Sequence, residues 1–130
     1  MIGCEELGGS ETILLIEDED LVSDVTKRIL ERGGYTVHTA VNGKEALNLY
    51  LEKRHKISLV ILDLFMPEMG GKECLQKLLD IDPNLRILVV SGYYKNRTAQ
   101  DVMESGAAGF ICKPYDSKRM LTAVRKALDS

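Results

Sequence analysis

The chain has 130 residues, which is room for one compact domain with its own apolar core. Its formal charge of -3, with lysines and arginines scattered along the chain, argues against a nucleic-acid groove or a polybasic membrane patch. No apolar run approaches the roughly 20 residues that span a bilayer, and the first residues lack the features of a signal peptide, so we expect a cytoplasmic domain without membrane contact.

Residues 1–10 are rich in glycine and lack periodicity, which is typical of a flexible lead or a linker remnant, and we place the folded domain at 11–130. Short β-branched or leucine-rich runs then alternate with stretches of helical period. They predict strands at 12–16, 36–41, 57–62, 85–90 and 108–112, and helices at 20–33, 43–54, 70–80, 98–105 and 116–128. Alternating units of this kind favour an α/β fold, in which a doubly wound five-stranded parallel sheet lies between two layers of helices.

Apolar periodicity indicates which helix faces pack on the sheet. The first predicted helix carries a stripe made of Leu21, Val22, Val25, Ile29 and Leu30. The last helix repeats the pattern with Met120, Leu121, Val124 and Leu128. The runs at 57–62 and 85–90 are apolar throughout, as expected for central strands that helices cover on both faces.

Polar residues follow four of the predicted strands at the point where each strand ends. Glu17 and Asp18 come after the first strand, and the third strand is closed by Asp63. Ser91 and Lys113 end the fourth and the fifth strand. Because the carboxyl ends of parallel strands meet at one edge of the sheet, we expect these side chains to converge. A buried carboxylate such as Asp63 must be paired, metal-bound or catalytic to offset its desolvation.

Three converging carboxylates, Glu17, Asp18 and Asp63, require a positive charge between them. Oxygen ligands alone favour Mg²⁺ or Mn²⁺ over zinc. Taken by itself, the acidic run 17–20 would be interpreted as a solvated loop at the start of a helix. The presence of Asp63 makes a divalent-cation site the preferred interpretation.

Four segments, 14–19, 62–71, 90–92 and 112–115, together closely resemble the receiver domain of bacterial two-component response regulators. The resemblance covers nearly everything from Thr12 onward. It implies a flavodoxin-like fold with strand order 2-1-3-4-5 and five helices. It also implies a phosphoacceptor in a phosphorelay, served by a sensor histidine kinase or a histidine phosphotransfer protein.

The resemblance assigns a role to each residue at the strand ends. Asp63 would be the phosphoacceptor, and Asp18 and Asp63 would ligate Mg²⁺ directly. Glu17, which stands where many members carry aspartate, would act directly or through water, and the backbone carbonyl of Phe65 would complete the protein ligands. Ser91 and Lys113 would contact the phosphoryl oxygens. The Lys113-Pro114 peptide is expected to be cis, a state open to X-Pro bonds.

A phosphorylated receiver must signal through a change between two conformations. By the resemblance, Ser91 and the aromatic Phe110 are the switch residues, and the surface of the fourth helix, fifth strand and fifth helix is the output. Phe110 as a plain core aromatic is nearly as good an interpretation. The domain would be a monomer or a phosphorylation-dependent dimer.

Other functions fit the sequence less well. A haloacid-dehalogenase-like phosphatase needs a second aspartate two residues after the first, and that position is Phe65. An FMN module needs a phosphate cradle after the first strand, where the acidic run 17–20 stands. A degenerate receiver that only mediates contacts remains an alternative. We therefore expect no enzyme with turnover, only self-phosphorylation and autodephosphorylation chemistry, either in a free-standing domain or in the terminal receiver of a hybrid sensor histidine kinase.

Overall fold

A computed structural model describes residues 8–64, 70–92 and 96–130, and for 96–99 the backbone alone. Strands and helices alternate along the described residues. The strands are β1 (Thr12–Ile16), β2 (Thr36–Ala40), β3 (Ile57–Asp63), β4 (Ile87–Ser91) and β5 (Gly109–Cys112). The helices are α1 (Asp20–Arg32), α2 (Gly43–Lys53), α3 (Gly71–Ile81), α4 (Asn96–Glu104) and α5 (Ser117–Asp129).

The five strands form one parallel sheet in the order β2-β1-β3-β4-β5, which confirms the predicted topology. Element ends differ from the predicted ones by one or two residues, the usual scatter at fraying ends. Within the part of the chain that the structure describes, no helix is both long and apolar enough to cross a bilayer.

Two apolar layers enclose the sheet because successive side chains of each strand point to opposite faces. On β1, Leu14 and Ile16 join the layer that α2, α3 and α4 cover. Ile13 and Leu15 join the layer that α1 and α5 cover. The central strands β1, β3 and β4 are therefore buried on both faces. Their polar residues lie at the ends of the strands, which form the two edges of the sheet that run across the strands.

The apolar stripe predicted for α1 is wrong in part. Leu21 and Val25 are 81% and 57% exposed, whereas Leu30 is fully buried as predicted. Ser23 and Thr26 take the buried positions instead. The buried hydroxyl of Thr26 is satisfied by a hydrogen bond with the phenol of a residue beyond β5, and this bond lets a polar residue occupy the inner face of α1.

The edge of the sheet where the strands begin is held by Arg125 of α5. Its guanidinium donates to both carboxylate oxygens of Glu11 (2.7 and 3.2 Å), to the carbonyl of Gly8 (3.3 Å) and to the Tyr35 hydroxyl (3.3 Å). It also pairs with Asp129 at 2.8 Å. The hydrogen bond from Arg125 is the main reason that the pKa of Glu11 lies below its ordinary value.

The segment ahead of β1 is thereby fixed to the domain from Gly8 onward. The Gly9 N–H donates to the Gly33 carbonyl at 3.0 Å. A β-carbon at Gly8 would collide with that carbonyl, and one at Gly34, where φ is +100°, would collide with the carbonyl of Gly9. Two glycine pairs therefore permit a close backbone contact. A flexible lead or linker remnant was predicted for residues 1–10. Residues 1–7 lie outside the described residues, and for them it stays a prediction.

Replacing Arg125 by methionine is expected to lower the free energy of unfolding by about 2 kcal/mol, because the change removes several charge-assisted hydrogen bonds at once. Since the pKa of Glu11 is lower in the folded chain, its stabilising contribution is present above about pH 4.3 and is lost as the pH falls through the lowered value. Urea denaturation from pH 3 to pH 7 measures both effects. Lys126→Met, an equal charge change at the next, exposed residue of α5, is the control. An equal loss of unfolding free energy in the two variants would contradict the prediction.

Candidate functional site

The strand register brings the predicted site residues to the edge where the strands end. Ile16 is paired with Leu62, so Glu17 stands beside Asp63. Ser91 is paired with Cys112, so Lys113 follows next to the end of β4. The Lys113 N–H donates to the Ser91 carbonyl at 2.8 Å, which fixes the start of the loop after β5. The predicted convergence of these elements is confirmed.

Lys113 is the positive group of this edge. Its Nζ lies 2.8 Å from Glu17 Oε1 and 3.4 Å from Asp63 Oδ2. Burial alone would lower the pKa of Lys113, but the hydrogen bond to Glu17 and the charge of Asp63 outweigh burial, so its pKa is raised. Lys113 therefore stays an ammonium, held between two carboxylates that are only 3% and 5% exposed.

Three carboxylates meet at this edge. Oxygen atoms of Glu17, Asp18 and Asp63 all lie within 4.8 Å of one another. The pKa of Asp18 is raised, mainly by burial and further by the neighbouring Glu17 carboxylate. This set of hard oxygen donors, with more negative than positive charge, fits a divalent cation such as Mg²⁺.

The two predicted switch residues lie on β4 and β5. Ser91 is completely buried at the end of β4. Phe110, on β5, is half-buried against the layer that α2, α3 and α4 cover, so it is neither a fully buried core residue nor a free one. The Lys113-Pro114 peptide is cis, as predicted. Phe65, whose carbonyl was the fourth predicted metal ligand, lies outside the described residues.

The backbone after Asp63 is held by a glycine contact that sequence reasoning missed. The Gly71 N–H donates to the Leu64 carbonyl at 3.0 Å. A β-carbon at Gly71 would lie under 3.0 Å from three backbone atoms of Leu64. The start of α3 therefore approaches the residue after Asp63 more closely than any side chain would allow.

A model of the family described as the response regulator receiver domain matches residues 13–125 of the chain, which is most of its length. The chain is a response regulator receiver domain. The family, the fold and the place of the chain in two-component signalling, all predicted from the sequence, are thereby confirmed.

Relatives of this receiver domain include parts of large proteins and whole small ones. Sensor kinase CckA of Brucella abortus is 38% identical over 124 residues, which are 95% of this chain and 13% of the kinase. Chemotaxis protein CheY of Thermotoga maritima is 33% identical over 115 residues, which are 88% of this chain and 94% of that protein. This receiver domain therefore corresponds to a small part of the first relative and to nearly all of the second.

A solved structure gives the same fold. The match is to a CheX-CheY-BeF3-Mg²⁺ complex from Borrelia burgdorferi, with a TM-score of 0.85 and 30% sequence identity. The match covers 88% of this chain and 86% of that chain. The sheet order observed here is thus that of a CheY-like fold.

An apolar groove lies beside the carboxylates of this receiver domain. The groove has a volume of about 360 Å³ and is lined by Leu21, Val22, Val25, Thr26, Lys113, Pro114 and Tyr115. At its floor, the Thr26 and Tyr115 hydroxyls form a hydrogen bond of 2.6 Å. The bond joins α1 to the loop that carries Lys113, across 89 positions of sequence, and no local signal could have predicted it.

Tyr115→Phe is expected to lower the free energy of unfolding by about 1 kcal/mol, because the hydroxyl of Thr26, a residue only 1% exposed, loses its hydrogen-bond partner. Adding Thr26→Val should restore most of that loss, since removing both partners is nearly neutral. Urea denaturation of the two single variants and the double variant measures the coupling between the hydroxyls. Additive losses would mean that the hydrogen bond contributes nothing.

Proposed function

We propose that this receiver domain accepts a phosphoryl group on Asp63 from the phosphohistidine of a sensor histidine kinase or a histidine phosphotransfer protein. The observation that carries the proposal is the convergence of Asp63 with Glu17, Asp18 and Lys113 at one edge of a buried sheet. In the proposed step, an Asp63 carboxylate oxygen forms a bond to phosphorus while the bond between phosphorus and the histidine nitrogen breaks. The released electron pair stays on the imidazole ring.

Positioning and charge neutralisation are what such a transfer requires of a protein. Lys113 offers a fixed ammonium 3.4 Å from Asp63, and it can neutralise an oxygen of the arriving phosphoryl group. Ser91 is proposed to donate its hydroxyl to another oxygen. The near-complete burial of Asp63 excludes most water from the reacting carboxylate.

Glu17, Asp18 and Asp63 are proposed to hold Mg²⁺, with Mn²⁺ as a substitute, and their clustered oxygens support this. The cation would neutralise further phosphoryl oxygens. The backbone carbonyl of Phe65 remains a proposed ligand. The CheY of the Borrelia burgdorferi complex is named with BeF3 and Mg²⁺, which supports a cation in the same kind of fold.

The donor is proposed to dock on the apolar groove along α1. The exposed Leu21 and Val25 adjoin Lys113 there, so a helix laid on them would bring its histidine close to Asp63. Glutamate at both exposed positions should leave phosphorylation by acetyl phosphate unchanged. The same variant should slow transfer from a phosphohistidine protein that serves the natural chain.

The proposed output is the surface of α4, β5 and α5. Phe110 lines shallow cavities of about 300 and 340 Å³ on this surface, which gives its ring room to move when Ser91 is drawn toward a phosphoryl group. We propose a cytoplasmic domain, a monomer or a phosphorylation-dependent dimer, without contact to nucleic acid or membrane. Membership in a hybrid sensor histidine kinase is supported by the match to part of CckA.

The test is the intact mass of the chain after incubation with acetyl phosphate, with Mg²⁺ and with a chelator. The expected result is the gain of one phosphoryl group in Mg²⁺ only, located by peptide mapping to the peptide that contains Asp63. If the mass does not change in Mg²⁺, the proposal fails, and the domain is better regarded as a degenerate receiver that mediates contacts.

A further inference from the structure

Lys113 and Glu17 are carried by strands that are not neighbours. In the sheet order, β3 and β4 lie between β1 and β5. Because neighbouring strands are about 4.8 Å apart, the ends of β1 and β5 are separated by about 14 Å. The contacts of Lys113 with Glu17 and Asp63 therefore depend on how far the loop after β5 extends back over the ends of β4 and β3.

Several contacts hold this loop without reaching α1. The Lys113 N–H donates to the Ser91 carbonyl on β4 at 2.8 Å. The Pro114 carbonyl accepts from the Arg119 guanidinium of α5 at 3.1 Å, and Asp116 caps the same helix. These contacts fix the loop to its neighbours β4 and α5, so they do not set its distance from β1.

The hydrogen bond of Tyr115 with Thr26 spans that distance. Thr26 lies on α1, the helix that directly follows the carboxylates Glu17 and Asp18. The bond is 2.6 Å long, Thr26 is buried, and the Tyr115 side chain packs against the layer that α1 and α5 cover. A short bond to a buried hydroxyl therefore ties the loop that carries Lys113 to the helix that follows the acidic residues.

We propose that Tyr115 is a positioning residue for phosphoryl transfer, because its hydrogen bond with Thr26 keeps the Lys113 ammonium beside Asp63. Tyr115 acts through Lys113 and not on the reacting atoms. The hydroxyl of Tyr115 carries the effect, and its ring does not. The inference rests on the proposed function, since it takes Asp63 as the phosphoacceptor.

Stability and reaction rate distinguish this role from a purely structural one. A loss of about 1 kcal/mol of unfolding free energy leaves nearly all of an ordinary domain folded, so it does not slow a reaction by itself. The double variant Tyr115→Phe with Thr26→Val should regain most of its stability, because neither hydroxyl is left without its partner. A positioning bond predicts that this double variant still reacts slowly, since the tether between α1 and the loop is gone.

The test is the rate of phosphorylation by acetyl phosphate with Mg²⁺, followed by intact mass. Tyr115→Phe and Thr26→Val should each slow the reaction about fivefold, since a small misplacement near a reacting centre is costly. The double variant should be as slow as either single variant and no slower, because both changes remove the same bond. Thr26→Ser keeps the hydroxyl and should react at the natural rate.

Tyr50→Phe is the matched control. It removes a phenol hydroxyl that donates to Asp82 at 3.3 Å, at the edge where the strands begin. The variant should therefore react at the natural rate even where it is less stable. NMR of the lysine side chains follows the ammonium directly: the Lys113 Nζ resonance should move in Tyr115→Phe and stay in place in Tyr50→Phe.

Three results would overturn the inference while leaving the proposed function intact. They are a natural rate in Tyr115→Phe, a double variant that regains the natural rate together with its stability, and a Lys113 resonance that is unmoved in Tyr115→Phe. If the natural chain itself gains no phosphoryl group, the proposed function fails and the inference fails with it.

Discussion

Asp63→Asn is expected to abolish phosphorylation and, at the same time, to make the domain more stable. The amide has no nucleophilic carboxylate oxygen, so acetyl phosphate and Mg²⁺ should add no phosphoryl group to the variant. The change also removes one of three carboxylates whose oxygens lie within 4.8 Å of one another. Relief of this like-charge repulsion should raise the free energy of unfolding by about 1 kcal/mol.

Intact mass and urea denaturation, both at neutral pH, measure the two effects. Asp24→Asn is the matched control, because Asp24 is an exposed aspartate on the outer side of α1. The control should take up phosphate like the natural chain and unfold at the same urea concentration. An Asp63→Asn variant that is less stable than the natural chain would show that the carboxylate contributes more through its partners than it costs by repulsion.

Serine at Gly71 is expected to destabilise the domain by about 3 kcal/mol. Its β-carbon would overlap backbone atoms of Leu64, which cannot rotate away as a side chain could. Either α3 or the backbone next to Asp63 must move, so the rate of phosphorylation by acetyl phosphate should fall as well. Urea denaturation gives the first effect and intact mass against time gives the second.

Serine at the preceding glycine, Gly70, should instead raise the free energy of unfolding. Among the described residues, a β-carbon at Gly70 meets no heavy atom within 4 Å, and the extended backbone there, with φ -62° and ψ 155°, suits any residue. Gly70 is the N-cap of α3 and offers no side-chain acceptor, so serine should add a cap and gain about 0.5 kcal/mol. A destabilised Gly70→Ser variant would contradict the contact geometry of this turn.

Apolar periodicity sufficed to predict the alternating strands and helices, and the polar residues at strand ends sufficed to predict the convergence of Glu17, Asp63, Ser91 and Lys113. The strand order was predicted from the resemblance to receiver domains. The prediction that the whole apolar stripe of α1 packs on the sheet was wrong in part. Periodicity shows which residues are apolar, but it does not show which other residues cover them. Leu21 and Val25 fit the helical stripe, yet they lie on the side of α1 that faces away from the sheet. Thr26 could replace an apolar residue inside only because a distant hydroxyl satisfies it.

Contacts between distant parts of the chain were the part that sequence reasoning could not supply. The bidentate ion pair of Arg125 with Glu11 joins residues 114 positions apart in the sequence. The ion pair of Lys113 with Glu17 joins residues 96 positions apart. Glu17 and Lys113 were predicted to lie near each other, but the sequence did not indicate that they form an ion pair. Which carboxylate pairs with an ammonium depends on distances of a few ångströms between side chains in the folded protein. Neither apolar periodicity nor a sequence motif predicts those distances.

The two described ends of the chain lie at the edge of the sheet opposite to the carboxylates. Gly8 is bound by Arg125, and the Ser130 carbonyl accepts from Arg86, just ahead of β4, at 2.7 Å. A fluorescent protein or a surface tether joined at either end would thus leave the acidic edge open to a large donor. The domain can therefore be immobilised for single-molecule or biosensor measurements with its acidic edge directed away from the support.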